Sequence, residues 1–174
     1  MNKPEINYSS HTHCQTCSLA ELCLPFTLND QELDRLDSLI KRKRPIQKNK
    51  LLFSAGQKAE SLYAVRSGML KTFSTSQQGY DIVTGFHMAG DVVGFDAVSE
   101  GNHKVFAQAI ETSMICEIPL NVLDELSGEM PAFKRQLMRL MSNEITDMQE
   151  RLQFLNRKNA EERLAAFLYT YGQR

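Results

Sequence analysis

Tryptophan is absent from this chain, only five prolines interrupt it, and its 174 residues contain no long apolar run. The missing run excludes a membrane-spanning helix, which needs about 18 or more consecutive apolar residues. The stretch from Met1 to His13 is polar and lacks the apolar segment of a secretory signal, so a cytoplasmic protein with reduced thiols is expected. Charge of one sign is lacking too. Twenty basic against 21 acidic residues leave a formal net charge of −1, with no general pull toward nucleic acid. Apolar content of 42% and charged content of 24% are ordinary for a globular chain, and the length allows one domain, or one domain with an appendage.

Cysteine is scarce, at four residues, and unevenly placed: Cys14, Cys17 and Cys23 fall within ten positions, spaced Cys-x2-Cys-x5-Cys, while Cys116 stands far downstream. Disulfides are poorly supported in a chain with no export signal, and unrelated buried thiols would not cluster in this way. A metal centre is the remaining reading. Zinc usually takes paired Cys-x2-Cys knuckles, and the second is missing, although His11 or His13 could complete such a site. A soft, all-sulfur set with irregular spacing suits an iron–sulfur cluster better, but spacing alone leaves the metal open.

Along the chain, Asn29 and Glu32 form a capping box ahead of Leu33, Leu36 and Ile40, which predicts a short amphipathic helix to about Lys43. The basic run Lys41 to Arg44 invites a nucleic-acid reading, but a solvated end of this helix is the better expectation. From Ile46 to Pro119, short β-favouring runs alternate with glycines (Gly56, Gly68, Gly79, Gly85, Gly90 and Gly101), the rhythm of an all-β sandwich or barrel. Cys116 falls on the last strand, sharing a face with Met114 and Ile118 by two-residue alternation.

Beyond Pro119 the pattern turns helical. A short helix is expected over Leu120 to Leu126, ended by Ser127 and Gly128, with Pro131 opening the next. Nothing interrupts Ala132 to about Lys158, which predicts a helix of about 27 residues and 40 Å. Its apolar row Leu137, Met141, Ile145, Met148, Leu152 and Leu155 narrows to a seam in the second half; Phe133, Met138 and Leu140 broaden the first half, as if packed on the β domain. Such a seam usually meets a partner helix, and its shortness predicts a marginal homodimer. Asn159 and Glu162 form a second capping box, before a stripe of Leu164, Phe167, Leu168 and Tyr171.

The cysteine spacing with distant Cys116 resembles the oxygen-sensing FNR branch of the Crp/Fnr transcription regulators. So do Pro25-Phe26-Thr27-Leu28, Arg66-Ser67-Gly68, Gly85-Phe86-His87, the run Gly90 to Ala97, Glu111-Thr112-Ser113 and the run Asn159 to Phe167. The resemblance implies a mainly β fold, a β-roll of cyclic-nucleotide-binding type, followed by a long dimerisation helix. It implies a [4Fe–4S] cluster on Cys14, Cys17, Cys23 and Cys116 whose integrity favours the dimer and whose reaction with oxygen releases it. It divides the chain into a cysteine loop (1–28), a sensory roll with flanking helices (29–130), a dimerisation helix (131–158) and the start of a truncated DNA-binding domain (159–174). Family members continue into a helix-turn-helix domain, and no recognition helix is legible here. DNA and RNA polymerase, the latter facing loops near 74–81, are therefore expected partners of a full-length form only.

The cyclic-nucleotide branch differs in the segment Gly94-Phe95-Asp96 to His103-Lys104-Val105-Phe106, which lacks that branch's ribose-binding Glu and phosphate-binding Arg. No cyclic nucleotide is expected, with Lys104 only a weak substitute charge. The rival from another class is a zinc-binding or cluster-free β-roll scaffold that dimerises or recruits protein partners. An enzyme is not expected. His87 and Asp91 lie near glycines with no nucleophile–base pair, and His87 reads as a hydrogen-bonded structural residue.

Overall fold

The computed structural model describes residues 13–17, 19, 23–25, 27–42, 44–155 and 159–172, apart from the side chains of Phe154 and Leu155. Two compact units are present, Met1–Leu137 and Met138–Arg174. In the first, a 3-10 turn at Cys14–Thr16 precedes α1 (Asp30–Leu39) and eight strands. These are β1 (Lys41–Arg42), β2 (Leu51–Phe53), β3 (Ser61–Ser67), β4 (Leu70–Thr75), β5 (Asp81–His87), β6 (Val92–Val93), β7 (Phe106–Ala109) and β8 (Met114–Pro119). Helix α2 (Leu120–Glu129) and the start of α3 (Pro131–Leu155) follow.

The strands form two antiparallel four-stranded sheets, ordered β1-β8-β3-β6 and β2-β7-β4-β5. Together they make the expected β-roll. Two-residue alternation gives the first sheet two different faces. Tyr63 and Val65 of β3 and Ile115 of β8 turn inward, joining Phe53, Leu70, Val93, Ala107 and Ala109 in one buried core. Their neighbours Ala64 and Cys116, paired across β3 and β8, line a cavity on the other face. Beyond the inner core, Leu24, Leu36, Leu126 and Phe133 are fully buried, each worth roughly 1.5–3 kcal/mol of apolar transfer.

The capping box at Asn29 forms as expected, with Glu32 N–H donating to Asn29 and Asn29 N–H to the Glu32 carboxylate. The helix it starts is shorter than expected. It ends at Leu39, and Lys41 and Arg42 pair with Glu117 and Cys116 as strand β1. The basic run is therefore a sheet edge rather than a helix end. Helix α2 runs through Ser127 and Gly128 to Glu129, because nothing there requires a left-handed residue. Gly85 lies within strand β5, and Gly94 takes the positive φ (104°) that the sequence pattern did not flag. At Gly68 (φ +84°) the need for glycine is steric as well: an added Cβ would lie 2.4 Å from Ser113 Oγ and 2.8 Å from its Cα.

In α3, Pro131 occupies the first position, as expected, and Phe133 is buried. Met138 is 62% exposed, so it does not add to the packed face expected of it. The second unit holds the rest of α3 and α4 (Ala160–Gly172). In it Met141, Ile145, Met148 and Leu152 are all exposed, flanked within the helix by an Arg151 ion-paired to Glu144 and Asp147. Asn159 caps α4 by accepting the Glu161 N–H at 2.9 Å. The expected helix end at Lys158, the Leu155 side chain and His11 lie outside the described residues.

Candidate metal centre

All four cysteines line one cavity, although Cys116 lies 93 positions beyond Cys23 in the sequence. Its other walls are Leu19, Leu24, Pro25, Ile40, Ala64, Val65, Arg66 and Ile118. Among the described residues no carboxylate lines it, so the donors these offer are soft sulfur atoms, with Arg66 the one charged residue among the described walls. Its volume is ≈ 30 Å³, room for about two water molecules. All four thiols are free. Among the described residues, no three His, Cys, Asp or Glu side chains converge closely enough to hold a single metal ion.

Cys116 is fixed by strand β8, held between β1 and β3. Cys14 is buried in the 3-10 turn, and the turn is fastened to α1 by Asp37. The Asp37 carboxylate accepts the Cys14 N–H at 2.7 Å, the Arg42 guanidinium and the Cys14 thiol, and His13 Nδ1 lies 3.2 Å away. Arg42 also points a guanidinium N–H at Cys14 Sγ, 3.8 Å off. Cys23 is tied differently. Its carbonyl accepts from the amide of buried Gln136 on α3 at 2.8 Å, and its N–H donates to Leu19 O at 3.0 Å.

Burial decides the protonation of these thiols. It pushes Cys23 up to about 12; in Cys14 the nearby Asp37 carboxylate adds to it, again reaching about 12. Cys116 is raised by burial as well, partly offset by Arg42 and Arg66. Cys14, Cys23 and Cys116 are therefore protonated in neutral water, and any cation binding them must displace protons. Asp37 goes the other way. Burial disfavours its charge, but the Cys14 N–H and Arg42 outweigh that and hold its carboxyl below the usual range.

Sequence reasoning found the four cysteines and missed Asp37, Arg42, Arg66 and Gln136. Two of these carried a signal. Asp37 sits on the apolar stripe of Leu33, Leu36 and Ile40, and Gln136 on that of Phe133, Leu137 and Leu140, each a polar side chain at a core position. His13, weighed as a ligand, pairs with Asp37 and does not line the cavity. His87 is buried and hydrogen-bonded to Thr72, as expected.

The model for the cyclic nucleotide-binding domain matches residues 43–129, half of the chain. The chain belongs to the cyclic nucleotide-binding domain family. It is 57% identical over 162 residues to the fumarate and nitrate reduction regulatory protein of Escherichia coli (strain K12), and equally so to that of Klebsiella oxytoca. The match covers 93% of this chain, which spans 65% of the length of these curated relatives. The likeness to the FNR branch of the Crp/Fnr regulators holds at that identity. Among solved structures, FixK2 from Bradyrhizobium japonicum shares the fold with a TM-score of 0.68 at 24% identity, covering 75% of this chain and 65% of that one. The Thermus thermophilus catabolite activator protein does so at 0.64 and 23%, covering 76% and 62%. The two curated relatives are named as regulatory proteins.

Within this cyclic nucleotide-binding domain, the roll interior is occupied by side chains. Fully buried His103 stacks on Phe53 with ring centres 3.6 Å apart, and Tyr63 packs against both. His103 Nδ1 lies 3.3 Å from Asp96, whose other oxygen accepts the Lys104 N–H at 2.7 Å. The Lys104 ammonium pairs with Glu100 at the surface.

Proposed function

We propose that this chain is the oxygen- and redox-sensing part of a Crp/Fnr transcription regulator, with a [4Fe–4S] cluster held by Cys14, Cys17, Cys23 and Cys116. The single observation that carries the reading is that these four thiols, distant in sequence, line one cavity walled by apolar groups and an arginine. The donor set fits an iron–sulfur cluster: soft, all-sulfur and flanked by two guanidiniums that offset thiolate charge. Zinc, the alternative, is less well supported. Structural zinc usually takes paired Cys-x2-Cys knuckles, and the second knuckle is missing here.

A bound cluster supplies reactivity toward oxygen, turning gas concentration into a change at the protein's thiols. The chain's own residues do the rest. Cys116 is a fixed post on the sheet, Asp37 and Arg42 orient Cys14, and Arg66 keeps positive charge beside the sulfurs. In this reading α3 carries the response. The row Leu137, Met141, Ile145, Met148, Leu152 and Leu155 forms a marginal homodimer seam that is favoured while the thiols are ligated.

DNA binding, RNA polymerase contact and transcription control belong to a longer, cytoplasmic form. The filled roll interior, with Lys104 engaged elsewhere, supports the absence of a cyclic nucleotide. Anaerobic reconstitution with iron and sulfide, followed by sizing before and after air, tests the reading. Visible absorbance and a dimer that dissociates in air are expected. A colourless protein, or an oligomeric state indifferent to air, would overturn it.

A further inference from the structure

The two ends of the cysteine segment are fastened to different elements. Cys14 is held to α1 by Asp37, and Cys23 to α3 by Gln136. Gln136 is 3% exposed, three positions after fully buried Phe133, and its Nε2 donates to the Cys23 carbonyl at 2.8 Å. A buried amide is disfavoured unless it is hydrogen-bonded, so a glutamine at this core position is explained by what it holds. Cys116 cannot give way, because β8 is hydrogen-bonded to strands on both sides. The strand is thus the fixed wall of the cavity, and a displacement of Cys23 on ligation loads its bond to α3.

We propose that Gln136 is a positioning residue that couples the state of Cys23 to helix α3, so that thiol ligation is felt along the helix bearing Met141, Ile145, Met148 and Leu152. The inference rests on the cluster reading above and names the link by which it would act. A merely structural role would tie the segment down without making the seam depend on it.

The test uses the full chain and two isosteres, Gln136→Met, which keeps the volume, and Gln136→Glu, which at neutral pH replaces the donor by an acceptor. The first readout needs no iron: the rate of alkylation of Cys23 relative to Cys17 in reduced protein, followed by mass spectrometry. Both variants are expected to raise that ratio about tenfold, the order expected for losing one buried hydrogen bond. An unchanged ratio shows that Gln136 does not hold the segment and overturns the proposal. The second readout is the dimer dissociation constant with and without reconstituted iron and sulfide. The wild-type ratio of the two constants is expected to shrink about fivefold or more in the variants, at unchanged iron content. A lower melting temperature with the ratio intact would reduce Gln136 to a structural role and overturn the coupling. Wild-type protein that takes up no iron would overturn the cluster reading and the coupling together, while the alkylation ratio still reports whether Gln136 holds Cys23.

Discussion

Asp37 gathers the Cys14 N–H, the Cys14 thiol, the Arg42 guanidinium and the His13 ring around one buried carboxylate. Replacing it by asparagine leaves a largely buried Arg42 without its counter-charge, a loss on the order of 3 kcal/mol. Urea unfolding of Asp37→Asn is expected to show that drop, together with faster alkylation of Cys14; stability within experimental error of wild type would contradict it. The thiols carry a second expectation. Cys14 and Cys23 titrate at about 12 in the fold against an ordinary 9.0, so their contribution is complete below pH 9 and is lost between pH 9 and 12. Oxygen-free, reducing unfolding at about pH 8 and about pH 10.5 is therefore expected to show a larger loss for wild type than for Cys14→Ser. Equal losses would mean that burial does not hold the proton on Cys14. At this scale the sequence revealed the four cysteines but not their supports. Cysteines announce themselves by type and spacing, whereas Arg42 meets Cys14 and Cys116 only through a strand pairing that no local pattern encodes.

Strands β3 and β8 show why the sheet was legible. Period-two alternation assigned Cys116 to the face of Met114 and Ile118, and Cys116 and Ile118 both line the cavity. The capping box fixed where α1 begins for the same local reason. Its end was not legible, because the pairing of Lys41 and Arg42 with β8 overrides the helical preference of a basic run. The turn before β4 depends on Gly68, where both positive φ and the approach of Ser113 forbid a side chain. Gly68→Ala is expected to destabilise by about 3 kcal/mol, lowering the melting temperature by about 10 °C. A change under about 2 °C would contradict the contact. On α3, Ile145 is 56% exposed, so a glutamate there should leave the fold intact. Ile145→Glu is expected to bind as much iron as wild type while its dimer weakens about tenfold or more, measured by sedentation equilibrium at matched iron content. An unchanged dimer would remove this row from the interface.

At the scale of the whole molecule, the proposed sensing residues and the proposed response surface fall in different units. The cysteines and their supports lie in Met1–Leu137, the exposed apolar rows of α3 and α4 in Met138–Arg174, and only α3 runs through both units. Composition indicated a globular chain without a membrane helix, and among the described residues no helix is long and apolar enough to cross one. What composition could not give is the meeting of residues 14–23 with residue 116, since that depends on how the sheet folds back beneath the N-terminal segment. The most direct test of that meeting is native mass spectrometry of the anaerobically reconstituted chain and of four single cysteine-to-alanine variants. The expected result is an added mass of four irons and four sulfides in wild type, lost or depleted in Cys14→Ala, Cys17→Ala, Cys23→Ala and Cys116→Ala alike. A single metal ion in wild type, or a full cluster retained by Cys116→Ala, would contradict the account.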